Sequence, residues 1–262
     1  MSSLGHLTRH TDPGERRIDR SRAYSAADLA DLCVRFLQIP YNQWDEERKQ
    51  ALQNLKEWYS NWDQLCYENE QIVPSLEDMS KVIDYISTAF YDGLLSNVTH
   101  QWKTIANRAI YAYTNIPDED DADWPRIFQH PGYRPGHMLQ SYHHQDPIIG
   151  TLIHESIHGF LGSYACESAT CGCITTSSRS LGATGHGPAF LQIATHIEAI
   201  FAAELEATWR PAPDLYVQDS MQKECAKSGL VLNDDEIEGC AQADRAWIRQ
   251  YRASKRRDSK VE

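Results

Sequence analysis

Long apolar segments are absent from this chain of 262 residues. No apolar run approaches the roughly 20 residues that a helix needs to cross a bilayer. The opening stretch, MSSLGHLTRHTDPGERRIDRSR, also lacks the apolar centre of a secretory signal. Because this stretch is polar and charged, residues 1–22 are predicted to be a disordered arm. We therefore expect no membrane partner and a location inside the cell, in the cytoplasm or the nucleus.

Positive charge is scarce. The chain has 25 Lys and Arg residues against 37 Asp and Glu residues, which gives a formal net charge of -12. An acidic protein is repelled by phosphate backbones unless its basic residues cluster. Here they cluster mainly at the two ends, in residues 16–22 and 245–260. These clusters leave a nucleic acid partner open, but the overall charge does not support one.

Cysteine is present in an odd number, seven, and no secretory signal accompanies it. This fits a reducing compartment better than a disulfide framework. Cys166, Cys171 and Cys173 lie close together in CESATCGC, but they do not form a C-x-x-C pair. They could hold a second metal only if a fourth ligand joined them. Free thiols or a role local to this loop are favoured.

Hydrophobic periodicity predicts an α+β protein. Strand-like runs rich in β-branched and aromatic residues lie between segments with helical spacing. Ser25 and the Pro74-Ser75 pair are predicted to start helices, and Pro40 and Gly93 to end them. The predicted helices cover about 25–39, 44–67, 75–93, 146–162 and 187–207, with a short one within 234–254. Strands are expected in 98–106 and 109–116, and a hairpin or edge strand in 126–146. Residues 163–185, rich in Ser, Gly and Thr, are predicted to form a loop.

One segment carries recognisable metal chemistry. In GTLIHESIHGFLG, residues 150–162, His154 and His158 are four apart. A helix places such residues on one face, so both imidazoles can bind one ion. Glu155 follows the first histidine and can lie close to the metal without binding it, as a general base would. Two histidines at this spacing by chance are the alternative, because the motif alone is only moderately specific.

A catalytic zinc needs a third protein ligand and an open position for water. The pattern HExxHxxGxxH would supply it, but Leu161 and Tyr164 show that this pattern fails here. His186 in TGHGPAF is the better candidate, because glycines on both sides let the loop approach an ion closely. An ordinary loop histidine is the alternative.

These segments together resemble the SprT-like metallopeptidase domain, which includes the Spartan-type proteases. TLIHESIHGFL is followed by GHGPAFLQIATHI, and both are preceded by AFYDGLLSNVTHQW. Three separated matches in the family's order are more specific than any one of them. The resemblance covers about residues 76–205. It implies a zincin-like fold, Zn²⁺ bound by His154, His158 and His186, and Glu155 as the general base.

The resulting expectation is a zinc metallopeptidase that hydrolyses a protein or peptide substrate. Two alternatives remain open: a zinc enzyme of the same fold that acts on a small non-protein substrate, and a non-proteolytic zinc-containing binding module. A protease needs an open groove with a free edge strand, for which HMLQSYH, residues 137–143, is the candidate. A closed pocket would favour the small substrate.

The predicted domain organisation is linear. After the arm of residues 1–22, a helical extension covers residues 23–72. The SprT-like zinc metallopeptidase domain, with a small β-sheet and the HExxH helix, covers residues 73–210. A C-terminal helical segment with a basic tail covers residues 211–262.

Overall fold

A computed structural model describes the greater part of the chain, namely residues 24–68, 73–95, 97–105, 112–117, 125–130, 146–166, 174–205, 215 and 217–258. The predicted arm, the candidate edge strand at 137–143 and two of the clustered cysteines, Cys171 and Cys173, lie outside these residues. Within them, helices predominate and one small sheet is present, which confirms the α+β class.

The five long predicted helices and the three predicted strand regions each contain an element of the predicted type. The α-helices are α1 Ala26–Leu37, α2 Glu46–Glu68, α3 Leu76–Tyr91, α4 Asp146–Tyr164, α5 Ile174–Leu181, α6 Pro188–Leu205, α7 Val217–Ser228, α8 Asp234–Glu238 and α9 Arg245–Asp258. The strands are β1 Thr99–Trp102, β2 Ala112–Asn115 and β3 Arg126–Gln129. Among the described residues, no helix is both long enough and apolar enough to span a membrane.

The described residues group into two compact units. Unit 1 comprises residues 1–38, 164–200 and 217–262, and unit 2 comprises residues 39–163 and 201–216. Each unit is therefore built from segments that are far apart along the chain. The linear division into extension, metallopeptidase domain and tail stays a prediction.

Unit 2 contains the sheet, whose strand order is β1-β3-β2. Strand β3 pairs parallel with β1 and antiparallel with β2, and Ile127 lies opposite both His100 and Thr114. Helix α4 lies close to this sheet: a Cβ added to Gly159 would be 3.7 Å from a methyl group of Val98. The absence of a side chain at Gly159 therefore lets α4 pack closely against Val98 and Thr114.

The first two long helices of unit 2, α2 and α3, pack against each other. Arg48 of α2 donates a hydrogen bond from Nε to the carbonyl oxygen of Ala89 in α3, at 2.9 Å. Ser75 caps α3 by accepting a hydrogen bond from the backbone amide of Asp78, as its position predicted. The helix ends two residues before Gly93, which has a positive φ of 75°.

In unit 1 the structure differs from the sequence prediction at two segments. Residues 163–185, rich in Ser, Gly and Thr, were expected to form a loop, but they include α5. Such residues have weak intrinsic helix propensity. Tertiary contacts stabilise α5 instead: it packs against α1, and its Arg179 forms an ion pair with Glu236 at 2.9 Å. The final segment also differs, because three helices, α7 to α9, occupy the region where one short helix was predicted.

Candidate metal centre

Helix α4 presents the two histidines of the HExxH motif on one face. The Nε2 atoms of His154 and His158 are 3.3 Å apart, and both side chains are half-buried. The apolar side chains of α4 around the two histidines are buried, so they determine which face of the helix turns towards the core. These side chains are Leu152, Ile153, Ile157, Phe160 and Leu161. The helical spacing therefore brings together the two ring nitrogens that a shared ion requires.

A backbone carbonyl fixes the tautomer of His154. Its Nδ1 atom lies 2.9 Å from the carbonyl oxygen of Leu215. A carbonyl can only accept, so Nδ1 carries the proton and Nε2 of the neutral ring keeps its lone pair. This is the arrangement seen in metal-binding histidines, whose second nitrogen donates to a carbonyl or carboxylate.

The spacing of the two Nε2 atoms fits a tetrahedral zinc ion. Zinc binds histidine nitrogen at about 2.0–2.1 Å, so two such ligands at a tetrahedral angle lie about 3.3–3.4 Å apart. The observed separation between His154 and His158 is 3.3 Å. The same separation also allows a hydrogen bond between the two rings.

Glu155 lies beside this pair and is almost fully buried, with 6% of its surface exposed. Oγ1 of Thr114, in β2, donates to Oε2 of Glu155 at 2.7 Å and also lies 2.9 Å from its backbone oxygen. Burial raises the pKa of Glu155 to about 7, against the opposing effect of the Thr114 hydrogen bonds. A carboxyl group with this pKa can both take up and release a proton near neutral pH.

His186 lies in the turn between α5 and α6. Gly185, immediately before it, has a φ of 81°, a conformation that favours glycine. A Cβ added to Gly187 would lie 2.4 Å from the carbonyl oxygen of Ser180, so no larger residue fits there. Nδ1 of His186 is 2.8 Å from Oγ1 of Thr184, and its ring packs edge-on against Phe190.

Each of the three histidines offers a ring nitrogen that could bind a metal ion. His154 and His158 belong to unit 2, and His186 belongs to unit 1. All three side chains are half-buried. Three neutral imidazoles form a donor set suited to zinc and to other divalent transition metals. Cys166 is buried and belongs to no such group in the part of the chain that the structure describes.

Several residues around the histidines were not predicted. Thr114, Thr184 and Glu224 hold the side chains of the motif or its neighbours, and Leu215 does so through its carbonyl oxygen. Thr184 stands in the segment TGHGPAF, but its hydrogen bonds to His186 and to Glu224 have no signal in that pattern. Thr114, Leu215 and Glu224 belong to no motif, and each contacts a residue that is far away along the chain. A sequence pattern carries no signal for contacts of this kind.

Comparison with known proteins adds no family assignment. No protein-family model matches the chain, and no curated protein or solved structure matches it.

Proposed function

We propose that the chain is a zinc-dependent metallopeptidase with a SprT-like, zincin-like domain. The observation that carries the proposal is the face of α4, where two imidazole Nε2 atoms lie 3.3 Å apart beside the buried carboxyl group of Glu155. A structural zinc site has no use for such a carboxyl group and is normally closed by four protein ligands. A catalytic site needs the base and an open position.

In this proposal His154, His158 and His186 hold the ion. Bound zinc would supply a Lewis acid that polarises a carbonyl group and lowers the pKa of a water molecule. The 3.3 Å separation of the Nε2 atoms of His154 and His158 supports two of these ligands, and the family resemblance adds His186 as the third. The hydrogen bond between Nδ1 of His154 and the carbonyl oxygen of Leu215 supports it too, because it leaves Nε2 as the donor atom.

Glu155 would serve as the general base and then as the general acid. Thr114 holds Oε2, so Oε1 is the oxygen that takes a proton from the attacking water and passes it to the leaving amine nitrogen. Burial raises the pKa of Glu155 to about 7 in the metal-free chain, and a cation bound beside it would lower that pKa and favour the carboxylate that accepts the first proton. The hydrogen bond from Thr114 keeps the carboxyl plane fixed while the proton moves.

The proposal is tested by measuring zinc content and proteolysis together. Glu155→Gln should keep about one zinc per chain but lose roughly 10²- to 10⁴-fold in the rate of cleaving an unfolded protein and a fluorogenic peptide library. The control is Glu57→Gln, the same change at an exposed site of α2, which should leave both readouts unchanged.

Two results would contradict this function. If zinc binds but neither protein nor peptide is cleaved, the centre belongs to an enzyme for a small substrate or to a non-proteolytic module. If the purified chain takes up no zinc, the ligand set itself is wrong.

A further inference from the structure

Helix α7 holds the turn that carries His186. The carboxylate of Glu224 in α7 accepts hydrogen bonds from the backbone amides of Ala183 and Thr184, both at 2.7 Å. It accepts a third from Oγ1 of Thr184. Lys227, one turn further along α7, donates from Nζ to the carbonyl oxygen of Ala183 at 3.0 Å. This helix lies outside the region of family resemblance.

Glu224 is more deeply buried than an ordinary surface glutamate, with 0% of its surface exposed. Gly182 allows the close approach, because an added Cβ there would lie 2.6 Å from the Glu224 carboxyl carbon. Burial acts to raise the pKa of Glu224, but the hydrogen bonds from Thr184 and from the two amides outweigh it and leave the pKa below its usual value. A buried carboxylate in this setting is anionic.

The donor and acceptor roles in this cluster are fixed by elementary chemistry. Thr184 has one hydroxyl proton, and the ionised carboxylate of Glu224 can only accept, so the proton points to Glu224. The hydroxyl oxygen must then accept from Nδ1 of His186, 2.8 Å away. Nδ1 of His186 carries its proton, and Nε2 keeps the lone pair.

We propose that Glu224 is a positioning residue that acts through Thr184 to set the tautomer and ring orientation of His186. This inference rests on the proposed function, in which His186 is the third zinc ligand. The arrangement extends a known principle, in which a carboxylate orients a metal-bound histidine, by inserting one hydroxyl group between them. A region predicted as a C-terminal helical segment thereby becomes part of the metal centre.

A purely structural role of Glu224 makes a different prediction. In that case the carboxylate only ties α7 to the turn through the two backbone amides, and the hydroxyl of Thr184 is dispensable. Thr184→Val separates the two roles, because it keeps the shape and the backbone amide but removes the hydroxyl. Thr184→Ser returns the hydroxyl and serves as the rescue variant.

The first readout needs no metal. Nitrogen-15 NMR of the histidine rings, recorded with a chelator, should show His186 with its proton on Nδ1 in the wild type and in Thr184→Ser. In Thr184→Val and Glu224→Gln this preference should be lost or reversed. An Nδ1-protonated His186 that persists unchanged in Thr184→Val would overturn the inference.

The second readout is zinc affinity, measured by competition with a chromophoric chelator. Thr184→Val and Glu224→Gln should bind zinc about 10- to 100-fold more weakly, the usual effect of losing a partner of a metal ligand. Thr184→Ser should match the wild type. Asp219→Asn removes the same charge from an exposed site of α7 and should have no effect. The metal-free unfolding midpoint is recorded for every variant.

The variant His186→Ala distinguishes a failure of the positioning role of Glu224 from a failure of the proposed ligand set. If it weakens zinc binding while Thr184→Val and Glu224→Gln do not, the positioning role is wrong and the proposed ligand set stands. If it binds zinc as the wild type does, His186 is not a ligand and the proposed centre fails, and the inference fails with it.

Discussion

The side chain of His100 shows how a single residue outside the metal centre can control the pH dependence of stability. Gln129 donates its amide to the carbonyl oxygen of Ile148, so its Oε1 accepts from Nε2 of His100, at 3.1 Å. Nδ1 of His100 is then an acceptor, and it is buried without a hydrogen-bond partner among the described residues. Protonating this ring would bury a charge.

We therefore expect acid to destabilise the protein through His100. Burial lowers its pKa to about 4 from an unperturbed 6.5, against the raising effect of Gln129. Stability is fully present above pH 6.5 and is lost as the pH falls towards 4, by up to about 3 kcal/mol for such a shift. The measurement is the free energy of unfolding in urea as a function of pH, for the wild type and for His100→Gln, with chelator present. Parallel pH profiles for the two proteins would show that His100 has no such role.

At the scale of an element, the turn between α5 and α6 is tightly constrained. The amide of Gly187 donates to the carbonyl oxygen of Leu181 at 2.7 Å, which closes the turn directly after His186. A Cβ at Gly187 would meet backbone atoms of residues 180–182, which cannot rotate away. The turn has room for glycine alone at this position.

Gly187→Ala should therefore distort this turn. We expect a loss of about 1–3 kcal/mol in the free energy of unfolding, typical of overpacking, together with weaker zinc binding. Gly229→Ala is the comparison: its φ of 67° disfavours alanine, but no atom lies within 4 Å of the added Cβ. That variant should lose stability and keep its zinc affinity. Equal zinc affinity in both variants would mean that the turn does not control His186.

At the scale of the whole molecule, zinc should act as a stabilising ligand. The unfolded chain does not hold His154, His158 and His186 together, so zinc binds the folded state preferentially. A ligand at 100 times its dissociation constant stabilises the folded state by about 2.7 kcal/mol. Calorimetry should show a higher unfolding midpoint with zinc than with chelator.

The matched control for that experiment is magnesium, which prefers oxygen ligands and should leave the midpoint unchanged. His186→Ala should reduce the shift that zinc produces. An equal shift with magnesium would indicate a general effect on an acidic protein of net charge -12 rather than a specific centre.

The features that could be predicted from the sequence depend on residues close together along the chain. A helix of 3.6 residues per turn brings His154 and His158 to one face whatever surrounds them, so their spacing alone predicts that the two side chains are neighbours. Ser25 and Ser75 likewise cap α1 and α3, because a cap depends on a bond to an amide three residues away. The small sheet was also predictable, since its strands carry the β-branched and aromatic residues that suit a pleated surface.

Other features of the protein depend on contacts between segments that are distant along the chain. Thr114 reaches Glu155, and Glu224 reaches the turn at Thr184, through hydrogen bonds that no periodicity encodes. The raised pKa of Glu155 arises from burial, which the surrounding elements create. Helix α5 exists against its weak local propensity because α1 packs on it. Backbone geometry sets the spacing of side chains within one helix. Hydrogen bonds between distant segments, the burial of Glu155 and the formation of α5 arise only once the chain has folded.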